Sequence, residues 1–91
     1  MQAHPREHTR TYFLAKLAGE LESHGLTATL RAADPPALRV SDPDTAMLAE
    51  TVDCVPQAGG WFYRWSWGEL VGQADEPAQA AERIVRVLSR R

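Results

Sequence analysis

A single cysteine, Cys54, stands in a chain of 91 residues, so no internal disulfide can form. That excludes the disulfide-stapled secreted scaffolds and fits a reducing, cytoplasmic setting. Charge of one sign is also scarce. Ten Lys and Arg against twelve Asp and Glu leave a formal net charge of −2 and a pI near 5.9. Nucleic-acid binding is disfavoured by that balance, because phosphate neutralisation supplies much of such affinity. No apolar run approaches the ~18 residues that a membrane span needs. The opening Met1-Gln2-Ala3-His4-Pro5-Arg6 lacks the apolar stretch of a secretory signal. Repeats, low-complexity segments, G-x-S-x-G, the Walker loop and G-x-G-x-x-G are all missing. What remains is an ordinary globular composition, 44% hydrophobic and 24% charged. One domain over residues 1–91 is expected, with a modest core.

Aromatics make up only 8% of the chain, but they are concentrated. The run Trp61-Phe62-Tyr63-Arg64-Trp65-Ser66-Trp67 holds all three tryptophans. As a strand it would place Trp61, Tyr63, Trp65 and Trp67 on one face and Phe62, Arg64 and Ser66 on the other. Four large rings in a row need burial in a core, against a second subunit or against a ligand.

Around this run the period of the hydrophobic pattern changes twice. After a flexible terminus of about residues 1–6, Phe13, Leu14, Leu17, Ala18 and Leu21 recur at helical spacing and predict a helix over 7–24. Gly25 can enter the left-handed conformation that ends a helix, with Leu26 behind it as the hydrophobic contact of a Schellman motif. Leu26, Ala28 and Leu30 then alternate with Thr27, Thr29 and Arg31, a half-buried strand over 26–31. Asp34-Pro35-Pro36 breaks it, a second strand covers 37–41, and Asp42-Pro43-Asp44 turns the chain. A third strand covers 47–55 and stops at Pro56. Its alternation is blurred, since Glu50 shares a face with Leu48, Val52 and Cys54, so either a bulge re-aims that glutamate or the face reaches water. Gln57-Ala58-Gly59-Gly60 leads as a hairpin loop into the aromatic strand, 60–67. Glu69-Leu70-Val71, bracketed by Gly68 and Gly72, is either a short added strand or a packed loop. Asp75 is the expected N-cap of a last helix over 76–90, whose stripe is Ala78, Ala81, Ile84, Val85 and Leu88.

This order predicts a two-layer α+β domain, an antiparallel sheet of about four strands with both terminal helices on one face. The far face would carry Thr27, Thr29, Arg31, Arg39, Ser41 and, with them, Arg64. The ring face then points under the helices, with Trp61 and Trp67 at the strand ends placed to protrude.

Several chemistries were weighed. His4-Pro5-Arg6-Glu7-His8 matches H-x-x-E-H, but a terminal, proline-containing version with no third ligand is poor ground for zinc. Asp42, Asp44 and Asp53 occupy positions 1, 3 and 12 of a calcium loop, yet Met47 stands where the glycine is required. Cys54 follows Asp53 in a strand with no cationic neighbour in sequence, which suits an inert buried thiol. The basic residues Arg83, Arg86, Arg90 and Arg91 suit a helix C-terminus as well as a phosphate. No enzyme, metal or cofactor is therefore expected. Trp, Tyr and Arg are the residue types enriched at binding hot spots, so Trp61, Tyr63, Arg64, Trp65 and Trp67 are the candidate binding residues. A non-enzymatic protein- or peptide-interaction module is the leading expectation, in a homodimer. A small apolar ligand between sheet and helices is the alternative, and a plain structural core the third.

The segment from Leu14 to Leu88 resembles a group of small, uncharacterised proteins common in high-GC filamentous bacteria. The resemblance is carried by Leu21-Glu22-Ser23-His24-Gly25-Leu26, Leu38-Arg39-Val40, the run from Gly59 to Gly68 with its Trp65-Ser66-Trp67-Gly68, and Ala80-Ala81-Glu82-Arg83-Ile84. It implies no activity for any position. The helix, strands, helix order is also similar to the type III secretion chaperone-like fold, which implies dimers that hold partner peptides, at the level of fold analogy.

Overall fold

The computed structural model describes residues 5–33 and 35–89, the side chains of 5–7 and 45–48 lying outside that description. Helix α1 spans Pro5–Ser23, strands β1 Thr27–Arg31, β2 Ala37–Asp42, β3 Thr45–Gln57, β4 Gly60–Trp65 and β5 Leu70–Gln73, and helix α2 Pro77–Ser89. The strands form one five-stranded antiparallel meander in the order β1-β2-β3-β4-β5, one strand more than the sequence predicts.

α1 forms because Leu14, Leu17 and Leu21 recur on one stripe, and all three are fully buried. It ends where the sequence places its stop. The Gly25 N–H donates to the Glu22 carbonyl at 3.0 Å and the Leu26 N–H to the Leu21 carbonyl at 3.1 Å, the two bonds of a Schellman ending. Gly25 has φ 87°, a left-handed value that costs glycine nothing.

Both helices cover the sheet face that carries Leu38, Val40, Val52, Cys54, Tyr63 and Trp65, and one cluster of buried residues joins the two helices to the sheet. The far face carries Thr27, Thr29, Arg31 and Arg39, all exposed, with Arg64 opposite Asp53. Glu50 stays on the helix side, opposite Val40 and half-buried. The register shift between β2 and β3 falls beyond it, at Ser41/Asp42, where Asp42 Oδ1 accepts the Asp44 N–H at 2.9 Å in an Asx turn.

β3 runs through Pro56 rather than stopping there. Pro56 faces Trp61, whose carbonyl turns away to accept the Ala74 N–H at 2.9 Å. The pair is thus a non-hydrogen-bonded one, and the missing proline N–H removes no rung of the ladder. β4 stops at Trp65, two residues before the predicted end, because the chain turns there. The Gly68 N–H bonds the Trp65 carbonyl, the Trp65 N–H bonds the Glu69 carbonyl at 2.8 Å, and Gly68 takes φ 104°. This three-residue loop opens β5. Pro77 is the first residue of α2 and the Ala80 N–H bonds the Glu76 carbonyl, which puts Glu76 rather than Asp75 at the cap position. The buried stripe of α2 is Ala80, Ala81, Ile84 and Leu88, so Ala80 takes the place expected of Ala78, and Val85 is only half-buried. A side chain at Gly72 would meet Ala80 at 3.7 Å, which shows how closely α2 lies on β5.

Candidate functional site

The four rings of the aromatic run part company. Tyr63 is fully buried, and its hydroxyl donates to the Phe13 carbonyl at 2.7 Å, with the Ala74 carbonyl at 3.3 Å. A buried phenol needs such a partner, and here it ties α1 to the sheet. Burial pushes the Tyr63 phenol well above its ordinary pKa. Trp65, 4% exposed, lies in the same core. Trp61 is half-buried, with its ring 6.5 Å from that of Phe13 and the Arg10 guanidinium 5.9 Å from its centroid.

Trp67 behaves differently. It sits beyond the strand in the Ser66-Trp67-Gly68 loop, 48% exposed. Its ring stacks on Trp65 at 4.7 Å and 9° between planes, and its Nε1–H donates to Glu69 Oε1 at 3.1 Å. An indole held on two sides while half open to water has lost its rotamer freedom before anything binds.

Arg64 is on the far face, away from the rings. Its Nε and Nη2 donate to Asp53 Oδ1 and Oδ2 at 3.1 and 2.9 Å, a bidentate pair across β3 and β4. That hydrogen bonding raises the Arg64 pKa still further. The five candidate residues thus divide between a core pair, a half-buried edge ring, a far-face ion pair and one exposed indole.

A groove of about 300 Å³ runs between β5 and α2, lined by Trp65, Glu69, Leu70, Val71, Arg83 and Arg86 among others, and Trp67 is tied to it through its stack on Trp65 and its bond to Glu69. It continues over Leu70, Val71 and Arg83 into a second hollow of about 310 Å³ bounded by Phe62, Gln73 and Gln79. Leu70 is 43% exposed and gives the groove an apolar rim. Arg83 Nη1 donates to the Val71 carbonyl at 2.8 Å, which fixes one guanidinium along the groove, and Arg86 is exposed one turn further on. The sequence pointed to the aromatics but not to Leu70, Val71 or Arg83. Its one signal was the short apolar phrase between Gly68 and Gly72. A third hollow of about 450 Å³ lies at the other end of β4, between Phe13, Trp61, Phe62 and Asp75.

Cys54 is fully buried, and burial pushes its thiol up to about 12, with the charge of Arg10 opposing and that of Asp53 reinforcing the shift. Among the described residues no group of three or more His, Cys, Asp or Glu could hold a metal ion, and no helix is long and apolar enough to cross a membrane. His4 and the side chains of Arg6 and Glu7 lie outside the described residues, as do Arg90 and Arg91.

Compared with known proteins, the chain matches no family, no curated protein and no solved structure. Its function therefore has to be argued from the residues themselves.

Proposed function

We propose that this protein is a non-enzymatic peptide-binding module whose contact surface is the groove between β5 and α2, with Trp67 as its anchor. The observation that carries the proposal is the pinned but half-open Trp67 indole, stacked on Trp65 and bonded to Glu69, two residues that line that groove. Trp and Arg dominate binding hot spots, and here the Trp65 on which Trp67 stacks shares a groove lining with Leu70, Val71, Arg83 and Arg86. Cys54 and Tyr63, the core residues with nucleophile or acid chemistry, are fully buried and out of reach of a substrate. That supports a binding role over a catalytic one. The lone buried thiol suits a reducing cytoplasmic setting.

Panning a displayed random-peptide library on the wild-type chain and on Trp67→Ala tests the proposal. A consensus peptide that the wild type enriches and the variant does not is the expected result. Equal enrichment on both, or none on the wild type, overturns it.

A second reading places a small apolar ligand in the hollow formed by Phe13, Trp61 and Phe62, where α1 and the sheet part at the end of β4. Quenching or shift of Trp61 emission by a panel of aromatic ligands would favour that reading, and its absence would remove it.

A further inference from the structure

We infer that two copies of this chain associate through β1, in a twofold antiparallel pairing centred on Thr29. The inference is independent of the peptide groove, which lies at the opposite edge of the sheet.

The sheet has two edge strands, and they are treated differently. β5 is guarded. It has only four residues, its pairing with β4 shifts register at Tyr63/Arg64, and Arg83 bonds the Val71 carbonyl. Short length, a bulge and a charged side chain over the edge are the devices that keep sheets from extending. β1, one residue longer, has neither the bulge nor, among the described residues, a side chain bonded over its edge. All five of its residues pair with β2 in unbroken register, and Thr27–Arg31 contains neither proline nor a charge facing the helix layer. Alternate residues of such a strand turn N–H and C=O groups outward with nothing to bond.

The side chains also show an unfilled neighbour. Leu30 lies opposite Leu38, which is fully buried, yet Leu30 itself is 40% exposed, and among the described residues no strand lies beyond β1. Centring the twofold on Thr29 uses the whole strand and places Thr27 against Arg31 of the second copy, Ala28 against Leu30, and Thr29 against Thr29. Each Leu30 then covers a small Ala28, the two arginines meet hydroxyls rather than each other, and a Thr–Thr pair sits on the axis, a favourable cross-strand combination. Antiparallel pairing about an axis normal to the sheet keeps both helix layers on one side. α1, which packs over β1, then comes alongside its counterpart. The product is a continuous sheet of twice the width, joined by on the order of four to six main-chain hydrogen bonds.

Sedimentation velocity over a dilution series tests this, with Thr29→Lys as the variant. Thr29 is exposed on the far face, so the substitution leaves the fold intact, which circular dichroism verifies. The wild type is expected to show a concentration-dependent monomer–dimer equilibrium. Two lysines opposed on the axis should weaken it at least about fivefold, less so at high salt. A second arm uses Thr29→Cys with a short bis-maleimide. Covalent dimer should form at Thr29→Cys and not at Leu70→Cys on the guarded edge, while buried Cys54 stays unlabelled in both. A wild type monomeric at every concentration, a Thr29→Lys variant that dimerises as tightly as wild type, or equal crosslinking at Leu70→Cys would each overturn the inference.

Discussion

Replacing Tyr63 by Phe removes one oxygen from the middle of the fold and little else. The hydroxyl is fully buried, donates to the Phe13 carbonyl at 2.7 Å, and lies 3.3 Å from the Ala74 carbonyl. Losing it deletes one good hydrogen bond and leaves a buried carbonyl poorer by a partner, a cost of about 1.5 kcal/mol. The ring keeps its packing, so no cavity term is added beyond the space of a single hydroxyl. For a domain of this size that cost corresponds to a fall in melting temperature of roughly 6–12 °C. Urea unfolding followed by tryptophan emission measures the free energy, and thermal circular dichroism the midpoint. The same variant carries a signature in pH. Folding raises the Tyr63 pKa, so its stabilisation is fully present below the ordinary phenol value and is lost as pH rises above about 10. Wild type should therefore lose stability in that alkaline range more steeply than Tyr63→Phe, and the two curves should converge. A variant as stable as wild type at neutral pH, or parallel curves up to alkaline pH, would refute the claim that this hydroxyl ties α1 to the sheet.

Other outcomes follow from the same geometry. The Cys54 thiol, pushed up to about 12 by burial, should resist a thiol reagent in the native state and react at once in denaturant. Fast native labelling would contradict its place in the core. Its raised pKa also adds stability that is complete below the ordinary thiol value and is lost as pH climbs toward about 12, a slope that Cys54→Ala should flatten. Gly68→Ala forces a side chain into φ 104° and should cost about 1–3 kcal/mol by urea titration. It should also loosen the Trp65–Trp67 stack, visible as a red shift in emission, and an unchanged spectrum would argue against the loop as the support of Trp67.

Much of the architecture is legible in the sequence because it is local. Gly25 followed by Leu26 encodes the end of α1, and alternation in the aromatic run correctly puts Tyr63 and Trp65 beneath the helices and Arg64 on the far face. Trp67 protrudes, as its place at the end of the run suggests, but from a loop rather than from the strand, because the chain turns at Ser66, a turn signalled only by Gly68. β5 is four residues long, too short for a periodic pattern to separate it from a loop, and its position depends on β4 as a template. On α2, Ala78 and Ala80 are the same residue type, so composition could not show which one faces Gly72. Arg83 illustrates the larger difficulty. Its sequence neighbours suit a helix dipole, whereas its partner, the Val71 carbonyl, lies on another element and is set by tertiary packing. The groove is a product of that packing.

If the proposed function holds, Trp67, and not the buried part of the aromatic strand, is the residue that meets the peptide. The chain has three tryptophans, so its indole N–H groups form a small, assignable set in a two-dimensional nitrogen–proton spectrum. On titration with the peptide that the library selects, the Trp67 indole resonance should shift together with the amides of Leu70 and Arg86, while that of Trp61 stays in place. A Trp67 resonance that does not move while Trp61 or the Arg31–Arg39 face responds would contradict it.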